Sequence, residues 1–213
     1  MCSRYTLMIC EEDAELQALV AEAQRKGALC AGDVHPADLA PVLVAQQGQT
    51  AYMAPPPGGA ACCYRGLGVQ MAAHAMVWGY PNPRGKGLVF NTRAETAHEK
   101  PMWRDSLRYR RCLVPATGFY EWQQAGPGEK QPYLFTSMDG QTLYMAGIYK
   151  NFADENGRAR AHFSILTSDA NPDVKDVHAR MPVVLPPAAW GAWLGGQGDA
   201  LLAKAPALRR KAV

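Results

Sequence analysis

Cys2 carries the most distinctive chemistry in this sequence, because it directly follows Met1. Removal of Met1, which is usual when the second residue is small, would place an α-amine and a thiol on one residue. An α-amine has a pKa of about 8 and a thiol one of about 8.5, so both reactive forms exist near neutral pH. Such a pair captures an aldehyde as an imine that the sulfur closes into a thiazolidine. It could equally serve as an N-terminal nucleophile for acyl transfer, and a cysteine without a special role is the simplest alternative.

Two further segments carry polar groups at informative spacing. Asn91, Arg93 and Glu95 are spaced to share one face of an extended strand, although a solvated strand end would look the same. Glu121 lies between Tyr120 and Trp122 in an otherwise apolar segment. Aromatic neighbours desolvate a carboxyl group and raise its pKa, which suits general acid–base catalysis. The alternative is an edge-strand glutamate that faces water.

His178 is the third candidate. It follows Asn171-Pro172, which is typical of a helix start, so we expect it at the end of a short helix just before a strand at 181–185. A histidine there can transfer protons near neutral pH, although it could also be a structural histidine. The remaining histidines lack the spacing of metal ligands, and we predict no metal and no cofactor.

The elements that would position these residues are mostly strands. Alternation of Tyr5, Leu7 and Ile9 with Arg4, Thr6 and Met8 predicts a strand at 3–9. Turn residues at short intervals separate further candidate strands at 70–78, 87–91, 111–120, 132–137, 142–150, 161–167 and 181–185. Helical spacing predicts helices over about 11–26, over 36–43 and after Pro186-Pro187. The predicted fold is therefore α+β, with a barrel-like, mainly antiparallel β-sheet core and flanking helices. We expect one domain over 1–195 and a basic, frayed tail over 196–213.

Composition excludes several classes of protein. The chain has 213 residues, of which 48% are hydrophobic and 19% charged, so it is not a disordered polymer. No apolar run approaches the ~20 residues of a membrane span. The first residues lack the pattern of a secretion signal, and the six cysteines have neither CxxC nor paired spacing. We therefore expect a cytoplasmic protein with reduced thiols, and a monomer by default.

The net charge of +3 conceals a strong separation of charge along the chain. Residues 84–111 hold eight basic and three acidic side chains, whereas residues 11–33 hold two basic and six acidic ones. A basic middle segment favours a polyanionic partner, and binding through it should weaken steeply as salt rises.

The candidate segments occur together and in an order that resembles the SRAP family (SOS response-associated peptidases, or abasic-site processing proteins). The resemblance spans roughly residues 2–190. The matching segments are Met1-Cys2-Ser3-Arg4-Tyr5, Trp78-Gly79, Asn91-Thr92-Arg93-Ala94-Glu95, Arg111-Cys112-Leu113-Val114-Pro115, Gly118-Phe119-Tyr120-Glu121-Trp122 and His178-Ala179-Arg180-Met181-Pro182. Ser3, Thr92 and Ala179 depart from the residues that are usual in the family.

The resemblance implies a protein that crosslinks covalently to abasic sites in single-stranded DNA, whose ring-opened sugar is an aldehyde. Cys2 would be the crosslinking residue once Met1 is removed, and Asn91 would position its amine. Glu121 would assist sugar-ring opening, imine formation and Met1 removal, while His178 would bear on proton transfer, strand cleavage or reversal. Thr167 would line the same pocket.

The resemblance also implies a positively charged cleft for single-stranded DNA, associated with the nucleoid when DNA is bound. Arginine suits phosphate because its guanidinium can bind two oxygens at once. The residues expected to contact DNA are Arg4, Arg93 and Arg180 at phosphates, Trp78 or Trp122 as stacking surfaces, and Thr167 and Met181 beside them. AP-lyase activity and autoproteolytic removal of Met1 would accompany crosslinking.

Two other functions remain open on the sequence. The same Cys2, Asn91, Glu121 and His178 would serve an N-terminal-nucleophile amidohydrolase or cysteine peptidase that acts on other substrates. Alternatively, these polar residues would only position DNA in a non-covalent single-strand-binding module.

Overall fold

The computed structural model describes residues 2–9, 14–29, 31–46, 60–62, 70–197 and 205–213. Its helices are α1 (Ala14–Arg25), α2 (Pro101–Tyr109) and α3 (Pro187–Leu194), with a 3-10 helix at Ala94–Thr96. Its strands are β1 (Tyr5–Met8), β2 (Ala31–Val34), β3 (Leu39–Ala45), β4 (Ala60–Cys62), β5 (Met71–Trp78), β6 (Tyr80–Pro81), β7 (Leu88–Val89), β8 (Asn91–Arg93), β9 (Arg111–Ala116), β10 (Gly118–Gly126), β11 (Glu129–Ser137), β12 (Leu143–Ala153), β13 (Ala159–Asp169), β14 (Arg180–Pro182) and β15 (Leu208–Ala212).

A closed five-stranded barrel forms the centre of the fold. Strands β13, β12, β9, β3 and β5 pair in that order by antiparallel ladders. A short parallel pairing between β5 and β13 closes the ring, through Val77 opposite His162 and Trp78 opposite Phe163. This architecture confirms the predicted α+β fold with a barrel-like, mainly antiparallel core.

The barrel strands are apolar on both faces because they separate two hydrophobic cores. In β3, Val42 and Val44 belong to one core and Leu43 to the other. The first core also receives Tyr5 and Phe119 from a second, five-stranded sheet with the order β15-β11-β10-β1-β2. The second core lies under the three helices.

The three helices pack on the barrel through buried residues of the second core. Helix α1 buries Leu16, Leu19, Val20 and Ala23, as its sequence pattern predicts, although residues 11–13 of the predicted range lie outside the described residues. Helix α3 is confirmed, whereas α2 was not predicted. None of the helices that the structure describes is long and apolar enough to cross a membrane.

The prediction of a helix over 36–43 is wrong. Residues 39–45 form β3, which is nearly all buried, and the apolar run of a strand buried on both faces resembles a helix segment. The predicted helix before His178 is also wrong, since residues 172–177 form consecutive turns.

The predicted frayed tail over 196–213 is wrong for its last residues, and 198–204 lie outside the described residues. Strand β15 adds to the edge of β11, with Arg210 opposite Phe135. The Leu208 N–H donates to Asp173 Oδ2 at 3.0 Å, which ties this strand to the turns that precede His178. The boundary at 195 stays a prediction.

Candidate functional site

Pairing between β1 and β10 brings Cys2 next to Glu121. Tyr5 lies opposite Phe119, and the Tyr120 N–H donates to the Arg4 carbonyl at 3.0 Å. The residues before Tyr5 therefore run alongside β10 as far as Glu121. Gly118 permits the close approach of the other neighbour, β11, because a Cβ there would lie 2.6 Å from the carbonyl oxygen of Phe135. The glycine of the Gly118–Trp122 segment therefore sets how closely β10 and β11 approach each other.

Asn91 holds the backbone of Cys2. Strand β8 pairs in parallel with β13, with Asn91 opposite Ile165, which places the amide beside the start of the chain. Its Nδ2 donates to the Cys2 carbonyl at 2.7 Å, and its Oδ1 is buried with no hydrogen-bond partner among the described residues. Asn91 thus fixes the orientation of Cys2 and keeps one acceptor unused.

Glu121 is buried, with 1% of its surface exposed, so the alternative of an edge glutamate facing water is wrong. Burial raises the pKa of its carboxyl group, and the charge of His178 acts in the opposite direction. The sequence attributed this desolvation to Tyr120 and Trp122. Side chains alternate along a strand, and those two rings instead contact Arg4.

His178 lies beside Glu121, with its Nδ1 3.8 Å from Glu121 Oε2. The same Nδ1 is 2.8 Å from the Arg180 carbonyl and 3.0 Å from the Arg180 backbone nitrogen. When Nδ1 carries the proton it donates to that carbonyl, and Nε2 is left as the ring's proton acceptor. The turn backbone therefore orients the imidazole.

The Cys2 side chain is completely buried. Its Sγ donates to the Arg4 carbonyl at 3.5 Å. Burial, with the nearby Glu121 charge as a smaller cause, raises the pKa of the Cys2 thiol far above its usual range. In this chain, which retains Met1, burial therefore favours the neutral S–H. The expectation of a partly ionised thiol concerns the chain after Met1 removal and stays a prediction.

An open cleft of about 540 Å³ adjoins these groups. We call it the Cys2 cleft after the buried residue that it adjoins, and its lining residues are Ser3, Glu121, Trp122, Lys130 and His178. Lys130 was not among the predicted site residues. It reaches the cleft because β10 and β11 form a hairpin in which Lys130 lies opposite Gln124. The turn residues Gly126-Pro127-Gly128 between the two strands could have predicted this hairpin from the sequence.

Arg4 packs against two aromatic rings beside the cleft, those of Tyr120 and Trp122, which we call the aromatic border. Its guanidinium lies 4.0 Å from the ring centre of Tyr120 and 5.4 Å from that of Trp122, and it pairs with Asp33 at 3.7 Å. Tyr120 donates to the same Asp33 carboxylate at 3.2 Å. Arg4 and Trp122 thus lie together, and both are partly exposed. Their predicted contacts with DNA stay predictions.

Arg180 connects the segment after His178 to two other elements. It donates to both Glu95 oxygens at 2.7 and 2.8 Å, to Asp169 at 2.7 Å and to the Thr167 carbonyl at 2.7 Å. Glu95 lies in the 3-10 helix rather than in β8, so the predicted shared strand face of Asn91, Arg93 and Glu95 ends at Arg93. Arg93 is exposed.

Three predicted DNA contacts are not available at the surface. Trp78 is fully buried, with its Nε1 donating to the Phe90 carbonyl, so it offers no face to a base. Thr167 and Met181 are likewise buried. These expectations are wrong because β5, β13 and β14 turn those side chains into the protein interior.

Within the described ranges, no group of three or more histidine, cysteine or acidic side chains is arranged to hold a metal ion.

The family model for SOS response associated peptidase (SRAP) matches residues 1–211. The chain belongs to the SRAP family.

Relatives of this SRAP protein include abasic site processing proteins. It is 35% identical over 118 residues to abasic site processing protein YedK of Escherichia coli (strain K12), which covers 55% of this chain and 52% of YedK. It is 34% identical over 113 residues to abasic site processing protein YoqW of Bacillus subtilis (strain 168), which covers 51% of this chain and 50% of YoqW. The SRAP chain thus spans about half the length of the curated relatives it matches.

A solved structure shares the SRAP fold over its whole length. A crystal structure of a protein from Bordetella bronchiseptica has a TM-score of 0.73 at 24% identity, and the match covers 100% of this chain and 99% of that one. The agreement supports the arrangement of barrel, second sheet and helices described above.

Proposed function

We propose that this SRAP protein processes abasic sites in single-stranded DNA by forming a covalent crosslink through Cys2 after Met1 is removed. One observation carries the proposal: Asn91 holds the Cys2 carbonyl, while the buried Glu121 carboxyl and the His178 imidazole lie at the same cleft. The names of YedK and YoqW support the choice of an abasic site as the substrate.

The crosslinking step joins one aldehyde to one aminothiol with the loss of one water. The Cys2 amine attacks the C1′ aldehyde of the ring-opened sugar, and the resulting carbinolamine loses its hydroxyl as water to give an imine. The Cys2 sulfur then bonds to the imine carbon, and its proton moves to the nitrogen. Because burial keeps the thiol neutral, this last step needs a base that accepts the S–H proton and returns it to the nitrogen.

Glu121 is suited to both proton transfers. A raised pKa increases the fraction of the carboxyl that is protonated near neutral pH, and the acid form can donate to the departing hydroxyl. The carboxylate left behind can accept the thiol proton. Asn91 Oδ1, which is buried and unpartnered among the described residues, is a ready acceptor for an N–H of the new α-amine.

His178 is suited to lyase chemistry at the imine stage. Loss of a C2′ proton to the imidazole, with departure of the 3′ phosphate, would cleave the strand by β-elimination. In the tautomer whose Nδ1–H donates to the Arg180 carbonyl, Nε2 is the proton acceptor that this step needs. The same position near Glu121 suits proton transfer during reversal of the crosslink.

The DNA strand would enter along the aromatic border of the cleft. Arg4, Lys130 and Arg93 are available for phosphates, and Trp122 is available to stack on an unpaired base. Arg180 would contact a phosphate by releasing the exposed Asp169 carboxylate and binding a phosphate oxygen in its place.

The test is a denaturing gel of protein mixed with a single-stranded oligonucleotide that carries one abasic site, after mass spectrometry has shown that Met1 is gone. We expect a shifted band that is absent with intact DNA and lost in Cys2→Ala. Cys112→Ala is the matched control, because Cys112 is the other described free cysteine that is fully buried, and it lies in β9 away from the cleft.

An adduct that persists in Cys2→Ala, or no adduct from protein lacking Met1, would refute the proposal. DNA binding that is unaffected by Cys2→Ala, with no adduct, would instead favour the non-covalent binding module.

A further inference from the structure

A second pocket opens where two strands of the barrel separate. β5 and β13 pair only at Val77 with His162 and at Trp78 with Phe163. The same parallel register would bring Ala159 opposite His74, but the pairing does not extend that far. A pocket of about 730 Å³ lies there, and it shares no lining residue with the Cys2 cleft.

The polar side chains that line this pocket come from separate elements. Lys26 follows α1, His74 lies in β5, and Asn151 and Arg160 lie on the β12–β13 hairpin. We call this set the His74 pocket. Its other lining residues are apolar, and no carboxylate is among those that the structure describes.

His74 is the strongest indication of a ligand. The residue is 6% exposed, and its Nε2 is buried without a hydrogen-bond partner among the described residues. Native proteins rarely leave a buried ring nitrogen unpaired, so each such atom calls for an explanation. Because Nε2 has essentially no accessible surface in this conformation, a ligand oxygen in the pocket would accept its N–H after the imidazole turns towards the pocket.

The charge of the pocket favours an anion. Burial, with the Lys26 charge as a smaller cause, lowers the pKa of His74 to about 4, so the ring is a neutral donor at pH 7. Lys26 also pairs at 3.3 Å with Glu22, which does not line the pocket. Arg160 is exposed. Two cations and two neutral donors match a group with several negatively charged oxygens.

We propose that the His74 pocket binds a phosphate group, with Lys26 and Arg160 providing charge and His74 Nε2–H and the Asn151 amide donating hydrogen bonds. The phosphate belongs either to the backbone of a bound DNA strand or to a free ion. The pocket involves no residue of the Cys2 cleft, so its test does not depend on crosslinking.

The experiment is an NMR titration of the full chain labelled at histidine, with inorganic phosphate as the probe and chloride added to keep ionic strength constant. The His74 resonance is identified by its absence in His74→Gln. We expect a saturable shift of that resonance. Arg160→Gln should weaken phosphate binding by about 10- to 100-fold, the usual effect of losing one charge-assisted hydrogen bond.

Arg158→Gln is the matched control, since Arg158 is an exposed arginine on the same hairpin that does not line the pocket. It should leave the phosphate affinity within about twofold of the unaltered chain, as surface changes usually do. A second titration uses a single-stranded oligonucleotide without an abasic site. A His74 shift there assigns the phosphate to DNA, and a shift with inorganic phosphate alone assigns it to a free ion.

A His74 resonance that moves no more with phosphate than with chloride would overturn the proposal. So would equal phosphate affinity in Arg160→Gln and the unaltered chain.

Discussion

Replacing Asn91 tests whether one amide orients the reactive residue. In Asn91→Ala, the Cys2 carbonyl loses the donor that now lies 2.7 Å away. A lost hydrogen bond of this kind costs about 1–2 kcal/mol. Deleting Asn91 Oδ1 also removes a buried acceptor without a partner among the described residues, which offsets part of that cost. We therefore expect a loss of about 1 kcal/mol, or roughly 2–4 °C in Tm for a chain of this size.

Asn91→Asp separates this reasoning from a simple packing effect. The aspartate keeps the size of the side chain but presents only oxygens to the Cys2 carbonyl, so a repulsion replaces the hydrogen bond. At pH 7 the stability should fall in the order unaltered chain, Asn91→Ala, Asn91→Asp. Asn156→Ala is the control, because Asn156 lies in an exposed turn, and its Tm should be unchanged.

The functional consequence is measured as the rate of adduct formation with abasic single-stranded DNA at 25 °C, where all of these variants remain folded. Misplacement of a reacting group by about 1 Å can cost 100-fold in rate. We expect Asn91→Ala to form the adduct at least about tenfold more slowly. Asn91→Asp as stable as Asn91→Ala, or an unchanged adduct rate in both, would refute the role of this hydrogen bond.

Three further outcomes follow from titratable and charged side chains. Burial raises the pKa of Glu121 above its usual 4.5, so the folded chain binds this proton more tightly than the unfolded chain does. The protein therefore loses stability as pH rises through the folded pKa. Melting curves of Glu121→Gln from pH 4 to 8 should lack this loss. The His74 pKa of about 4 lies below its usual 6.5, so stability present above pH 6.5 should fall by roughly 3 kcal/mol towards pH 4, and not in His74→Gln. In double-mutant cycles on Arg180, the bidentate pair with Glu95 should couple by about 1 kcal/mol, and the pair with the 92% exposed Asp169 by less than about 0.5 kcal/mol; equal couplings would contradict this account.

The sequence indicated most of the strands, because the turn residues that separate them are local signals. Residues 70–78, for example, were predicted as a strand and correspond to β5. The same reasoning failed for residues 36–43, where burial on both faces of β3 removes the alternation. It also missed α2, although Pro101 lies in its first turn and Met102, Trp103 and Leu107 pack against the second core.

The site residues were predicted by motif, but their environments depend on contacts distant in the chain. Cys2 and Asn91 meet across 89 positions, through the parallel pairing of β8 with β13. Trp78 was expected at the DNA surface, yet closure of the barrel between β5 and β13 buries it. No local pattern distinguishes a tryptophan that stacks on bases from one that fills a core.

The measurement that tests the central claim most directly is the intact mass and thiol reactivity of the isolated adduct. Our account predicts a mass equal to the chain without Met1 plus the oligonucleotide, less one water. After denaturation and treatment with iodoacetamide, Cys2 should remain unalkylated while Cys112 is alkylated, because the Cys2 sulfur is already bonded to the sugar carbon. An adduct whose Cys2 is freely alkylated, or one that still contains Met1, would contradict it.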